Sequence, residues 1–195
     1  MTGEASPRYL TDADPVEIDA RLPEVKLIFL LREPVARAYS DYWMHRALGS
    51  DDRSFEDALE SPGVWRRCIV TGEYHRHLRR FREVVGDDRM CVLLTDDIES
   101  DASGSFDTVC RYLGIEPVQT GPVGSVVNAR VGYRSVRLRH LTPRLPSLAR
   151  RVVGRINTTT LDYPPMRSDT RDRLRDHFGP HNAALASFLD RPLPW

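Results

Sequence analysis

A run of apolar residues that gives way within three positions to an amphipathic helix limits this chain more than any other feature. Leu27 to Leu31 are five apolar residues in a row after Lys26. So short an unbroken run, rich in branched and aromatic side chains, predicts a strand buried on both faces of a parallel sheet. Pro34 suits the first turn of a helix, where its missing N–H costs nothing. Val35, Ala38, Tyr39, Tyr42 and Trp43 then fall at i, i+3, i+4, i+7 and i+8, one apolar helical stripe. Buried strand, tight turn and amphipathic helix together predict an α/β fold. Arg32 sits at the carboxyl end of the strand, where open α/β sheets place their ligands.

Arg32 and Ser40 are the candidate binding residues of this segment. The planar guanidinium fork of Arg32 suits a phosphate group. Ser40 lies off the apolar stripe, on the side of Arg37, and its small hydroxyl allows close approach. The helix N-terminus nearby adds backbone donors and a favourable dipole. Ordinary structural roles exist for both residues: an ion pair for the Arg, and a bond to the i−4 carbonyl for the Ser. Spacing alone leaves both readings open.

The segment Leu31-Arg-Glu-Pro-Val-Ala-Arg-Ala-Tyr-Ser-Asp-Tyr42 resembles the 3′-phosphate-binding segment of sulfotransferases. Those enzymes use 3′-phosphoadenosine 5′-phosphosulfate (PAPS) as sulfuryl donor. The resemblance is to the heparan-sulfate-type group and its bacterial relatives. Upstream, Glu4-Ala-Ser-Pro-Arg-Tyr-Leu10 is similar to the family's Glu-Lys/Ala-Ser/Thr-Pro-x-Tyr segment. Downstream, Gly72-Glu-Tyr74 with Leu78, the strand near Met90 to Leu94, and Phe106 to Gly114 follow the family order. The resemblance implies a three-layer, P-loop-NTPase-like fold with a small parallel sheet. It also implies that Arg32 and Ser40 bind the 3′-phosphate of the donor. The implied reaction is in-line transfer of a sulfuryl group to a hydroxyl or amine of a glycan, lipid or small metabolite, and it needs no metal.

The sequence departs from the family pattern in two places. The loop of type Lys-x-Gly-Thr-Thr, which wraps the 5′-phosphosulfate in the family, does not occur in these 195 residues. The heparan-type catalytic glutamate of that same region is not found either. Ala5 stands where some members carry an active-site Lys, and the single Lys of the chain, Lys26, begins the strand. The expectation is an N-terminally incomplete domain that holds the 3′-phosphate half of the donor site. Its catalytic base is not located, with His45 as the candidate because some sulfotransferases use a His base. The sheet should then show apolar surface at an edge or gap.

One domain covering residues 1–195 is the natural expectation at this length. Lys plus Arg and Asp plus Glu balance at 28 each, so overall charge gives no case for nucleic acid. The balance hides an asymmetry. From Pro117 through Leu161 there is no Asp or Glu, yet there are eight Arg and one His. Such a stretch is a solvated interaction arm or a lid over a polyanion. Asn128-Ala-Arg-Val-Gly-Tyr-Arg134 resembles the bacterial version of the mobile segment that closes over the donor in the family, which makes Arg130 and Arg134 donor-binding candidates. With Tyr133 as its one aromatic residue, the segment lacks the interleaved aromatics of a nucleic-acid surface.

Cys68, Cys91 and Cys110 are odd in number and widely spaced, which predicts buried thiols rather than bridges or metal ligands. There is no signal peptide and no apolar stretch long enough to span a membrane, so a reducing cytoplasm is expected. Arg in place of Lys suggests a bacterial source.

Asp14-Pro15 predicts a helix start, with Val16, Ala20 and Leu22 on its buried side. Ser54-Phe-Glu-Asp57 predicts a capping box. Gly72 to Val85 reads as a helix with Tyr74, Leu78, Phe81 and Val85 inward and His75 and His77 at the surface. Ser105 to Leu113 reads as another helix, closed by Gly114. Residues 162–195 should form C-terminal helices, one capped by Ser168 and a second begun by Pro180, with Trp195 packed on the domain. Two rival readings stand beside the enzyme. One is a catalytically inactive nucleotide-binding remnant or accessory subunit. The other is an Arg-rich interaction protein on an α/β core.

Overall fold

A computed structural model describes residues 2–49, 51–117 and 163–195, and between them only 131–133, 146, 149, 153 and 158–160. The chain divides into two compact units. The first comprises Met1–Pro34, Thr71–Ser125 and Leu174–Trp195; the second comprises Val35–Val70 and Val126–Arg173.

In the first unit, helices α1 (Tyr9–Asp12) and α2 (Pro15–Arg21) lead into strand β1 (Leu27–Leu31). The Asp14 carboxylate accepts the Val16 N–H at 2.9 Å, the N-cap that the sequence predicts. The buried side of α2 differs from expectation. Val16 is 60% and Leu22 57% exposed, while Pro15 is buried and Ile18 packs on the core. Pro15 and Ile18 are one turn apart, so the inward face is set by them rather than by Val16 and Ala20.

Strand β1 pairs in parallel with β2 (Met90–Leu94), in register from Leu27 opposite Met90 to Leu31 opposite Leu94. Only one face of β1 is buried. Phe29 and Leu31 point into the core, while Ile28 and Leu30 are 42% and 55% exposed. The strict alternation of side chains along a strand means that covering one face leaves the other bare. Among the described residues the parallel sheet has two strands. Apolar surface therefore shows on one face of β1, and the expected burial on both faces is not found.

Helix α3 (Pro34–Ala47) follows β1 directly. Helices α4 (Phe55–Leu59), α5 (Pro62–Cys68) and α6 (Tyr74–Val85) come before β2. After β2 come α7 (Thr95–Ser100), α8 (Ala102–Leu113), the short antiparallel strands β3 (Val131–Tyr133) and β4 (Thr158–Thr160), and α9 (Ser168–Leu189). The first unit's core joins Phe29, Leu31, Tyr74, Leu78, Phe81, Leu94 and Leu185, with Phe188 and Trp195 packed against it. Phe29 and Phe81 meet edge-on at 5.2 Å, a geometry worth about 0.5–1.5 kcal/mol beyond burial.

Helix α6 departs from expectation at one histidine. His77 is 7% exposed, because it lies three residues after Tyr74 and four before Phe81, inside the buried stripe. Gly86 ends the helix at φ 76°, where only glycine is unstrained. Helix α8 begins at Ala102, earlier than expected, since the Asp101 carboxylate caps it through the Gly104 N–H at 2.9 Å.

The C-terminal region is one helix, not two. Pro180 lies inside α9. A proline inside a helix removes one backbone bond, and the buried Leu174, Phe178 and Leu185 on either side of it hold the two halves in line. Past the helix, Arg191 Nη2 bonds the Asp97 carboxylate at 2.7 Å, and the Leu94 N–H bonds the same oxygen at 2.9 Å. Burial pushes the Asp97 carboxyl up, but the Arg191 and Leu94 hydrogen bonds and the Arg191 charge outweigh it and leave it below the usual range. A depressed folded-state pKa gives stability that is present above the unfolded value and lost as pH falls through the folded one. Asp97→Asn should therefore cost about 1 kcal/mol at neutral pH, allowing for solvent screening of the pair. Urea unfolding should show the gap to wild type closing below about pH 4; a gap independent of pH would contradict this assignment.

In the second unit, Val35, Ala38, Tyr42, Phe55, Ala58, Leu59, Val64, Cys68 and Ile69 are buried. The apolar stripe of α3 packs as its spacing predicts. Ser54 Oγ accepts the Asp57 N–H at 3.1 Å and caps α4. Trp43 stacks on Tyr163 at 5.3 Å, and Tyr39 meets Phe55 edge-on at 5.0 Å.

Candidate functional site

Arg32 directly follows the last residue of β1 and is exposed. Its backbone carbonyl accepts the Tyr74 hydroxyl at 2.8 Å, which ties the strand end to the start of α6. Gly72, just before, lies against the ring of Phe178: a Cβ there would stand 3.0 Å from Phe178 Cε1 and 3.3 Å from Pro34 Cβ. The turn that carries Arg32 is thus braced by tightly packed neighbours in its own unit.

Ser40 lies in the second unit, on α3, and is half-buried. The helix is anchored by Tyr39, whose hydroxyl donates to the Pro164 carbonyl at 2.6 Å, and by Tyr42, whose hydroxyl donates to the Arg53 carbonyl at 2.7 Å. One turn before Ser40, Arg37 Nη2 bonds the Cys68 carbonyl, and its Nε is buried with no hydrogen-bond partner among the described residues. Arg32 and Ser40 are joined by a continuous strand, turn and helix, the arrangement expected from the sequence. Arg130 and Arg134 lie outside the described residues; between them, Val131–Tyr133 pairs antiparallel with Thr158–Thr160.

His45 occupies the last turn of α3. Its Nδ1 lies 2.9 Å from the Asp41 carbonyl and 3.5 Å from an Asp41 carboxylate oxygen. Asp41 also receives Arg67 Nε at 3.1 Å and the Cys68 thiol at 3.4 Å. Burial, then the Asp41 charge, pushes the Cys68 thiol up to about 12, with the Arg67 charge opposing. Cys68 is therefore an inert thiol at neutral pH. The hub at Asp41 was not anticipated, although the i, i+4 spacing of Asp41 and His45 was its signal. Cys68, Cys91 and Cys110 are all free. Among the described residues no helix is long and apolar enough to cross a membrane.

Residues 4–129, more than half of the chain, match the family model described as the sulfotransferase domain. The Mus musculus protein named bifunctional heparan sulfate N-deacetylase/N-sulfotransferase 4 is 25% identical over 208 residues, covering 98% of this chain and 23% of that protein. Its Homo sapiens counterpart numbered 2 is 26% identical over 189 residues, covering 90% of this chain and 20% of that protein. The chain thus spans about a fifth to a quarter of the length of these relatives. In three dimensions it is similar to the crystal structure of a sulfotransferase from Alicyclobacillus acidocaldarius, with TM-score 0.70 and 22% identity, covering 98% of this chain and 65% of that one. The fold is therefore the α/β fold of sulfotransferases, and the chain belongs to the sulfotransferase domain family.

Proposed function

We propose that this domain works with 3′-phosphoadenosine 5′-phosphosulfate as sulfuryl donor, and that Arg32 and Ser40 hold the donor's 3′-phosphate. The observation that carries the reading is that the sulfotransferase-domain match, residues 4–129, contains the whole strand–turn–helix segment with Arg32 at the strand end and Ser40 on α3. In sulfuryl transfer, negative charge builds on the leaving phosphate oxygen, so catalysis needs cationic or backbone donors there and a base for the acceptor. A 3′-phosphate site makes the same contacts in ground and transition states and so contributes binding rather than rate. His45, held through Nδ1 by Asp41, is the candidate base. Arg130 and Arg134, in the basic segment 117–161, are candidates to close over the donor. The acceptor is a hydroxyl or an amine, the latter favoured by the N-sulfotransferase in the relatives' names.

The 195 residues contain no Lys-x-Gly-Thr-Thr loop. They should therefore bind the product nucleotide, 3′-phosphoadenosine 5′-phosphate, while transferring labelled sulfuryl groups far more slowly than a protein that also carries the loop. A thermal-shift series checks the binding, and an acceptor panel with labelled donor checks the rate. Stabilisation by nucleic acid but not by the nucleotide would favour an interaction protein instead. Robust turnover by these residues alone would show that the missing cation is supplied from within them.

A further inference from the structure

Three side chains that the linear sequence keeps far apart meet in the first unit. Glu73 sits at the N-cap of α6 and is 8% exposed. Its Oε1 lies 3.4 Å from His177 Nε2 and 3.9 Å from His181 Nε2. Its other oxygen lies 3.6 Å from the exposed Arg76, so the two oxygens face different partners. His177 and His181 are one turn apart on α9, on a single face. Their rings are 5.4 Å apart, inclined at 38°. One donor atom from each of the three residues lies within 4.8 Å of the others.

We propose that Glu73, His177 and His181 form a Zn2+ site of two imidazoles and one carboxylate, with its remaining coordination completed by water or an added donor. Zinc takes nitrogen and carboxylate ligands at about 2.0–2.2 Å in a tetrahedron, which puts neighbouring donor atoms about 3.3 Å apart. The Glu73–His177 separation of 3.4 Å already matches this, while His181 Nε2, 3.9 Å from the same carboxylate oxygen, must move inward by side-chain rotation to complete the set. Both imidazoles present the same nitrogen, Nε2, toward the same carboxylate oxygen. Two nitrogens and one oxygen suit zinc better than the oxygen-only preference of calcium or magnesium.

The position of Glu73 follows from packing. The close approach of Gly72 to Phe178, the neighbour of His177, fixes the turn that carries the carboxylate. A metal here clips the start of α6 to α9 and stabilises the folded state by mass action. Sulfuryl transfer does not enter into it.

The test uses tag-free, chelator-treated protein. Calorimetry with Zn2+ should show one ion bound per chain and a raised thermal midpoint. His177→Gln and His181→Gln, each checked for fold by circular dichroism, should lose both effects. In the wild-type protein Zn2+ should shield the more exposed His181, but not His45, from diethyl pyrocarbonate, a readout that needs no variant to fold. No stoichiometric binding by the wild type, binding unchanged in both folded variants, or modification of His181 unaffected by Zn2+ would each overturn the site.

Discussion

Phe178→Ala should destabilise the protein by about 3–5 kcal/mol, the range for removing a fully buried aromatic ring. Phe178 has no exposed surface, and its ring edge is what a side chain at Gly72 would strike, at 3.0 Å from Cε1. The ring packs on the Gly72 backbone so closely that collapse into the space it leaves would require the α6 turn to move. The loss is comparable to the whole stability of a marginal domain, about 5–15 kcal/mol. Urea denaturation should show the midpoint falling steeply. The same contact makes Gly72→Ala unfavourable, by about 1–3 kcal/mol of overpacking. Because the two residues touch, the double variant Gly72→Ala/Phe178→Leu should be less damaged than the sum of the single changes. Strict additivity would mean that the contact is not tight.

Arg32→Ala should weaken binding of 3′-phosphoadenosine 5′-phosphate by about 1.5–3 kcal/mol, or roughly ten- to more than a hundredfold, the value of hydrogen bonds to a charged group. Arg32→Lys should restore only part of the loss, because an ammonium replaces a planar two-pronged donor with a point charge. Ser40→Ala should cost less, about 0.5–1.5 kcal/mol, since a neutral hydroxyl donates a single bond. Arg32 is exposed and its side chain lies outside the core, so wild type, Arg32→Ala and Arg32→Lys should unfold at similar urea concentrations. Equal nucleotide affinity in folded wild type and Arg32→Ala would remove Arg32 from the site.

The central segment was legible because each of its signals is local. The apolar run gave β1, Pro34 gave the start of α3, and the stripe from Val35 to Trp43 gave its buried side. The Asp14 cap and the Gly86 and Gly114 stops are local in the same sense. What was not legible depends on partners distant in sequence. Ile28 and Leu30 look as buried as Phe29 until the packed helices are seen to cover only one face of β1. Pro180 looks like a break until Phe178 and Leu185 are seen buried on either side of it. His77 was assigned to the surface by its basic neighbours, but the stripe it belongs to decided otherwise. For the proposed site, Arg32 and Ser40 stand out in the sequence by their pattern, and the structure places them at the strand end and on α3. The meeting of Glu73 with His177 and His181 has no linear signature beyond the i, i+4 pair of imidazoles. Arg130 and Arg134 fall outside the described residues.

The most direct test is calorimetry of the wild-type protein and Arg32→Ala with two nucleotides that differ only in the 3′-phosphate, 3′-phosphoadenosine 5′-phosphate and adenosine 5′-phosphate. The wild type should prefer the 3′-phosphorylated form by at least about tenfold, and Arg32→Ala should lose most of that preference, keeping only the part that Ser40 supplies, with its weaker affinity for adenosine 5′-phosphate unchanged. A wild type that binds both nucleotides alike, or a preference undiminished in Arg32→Ala, would contradict the assignment of Arg32 and Ser40 to the donor's 3′-phosphate.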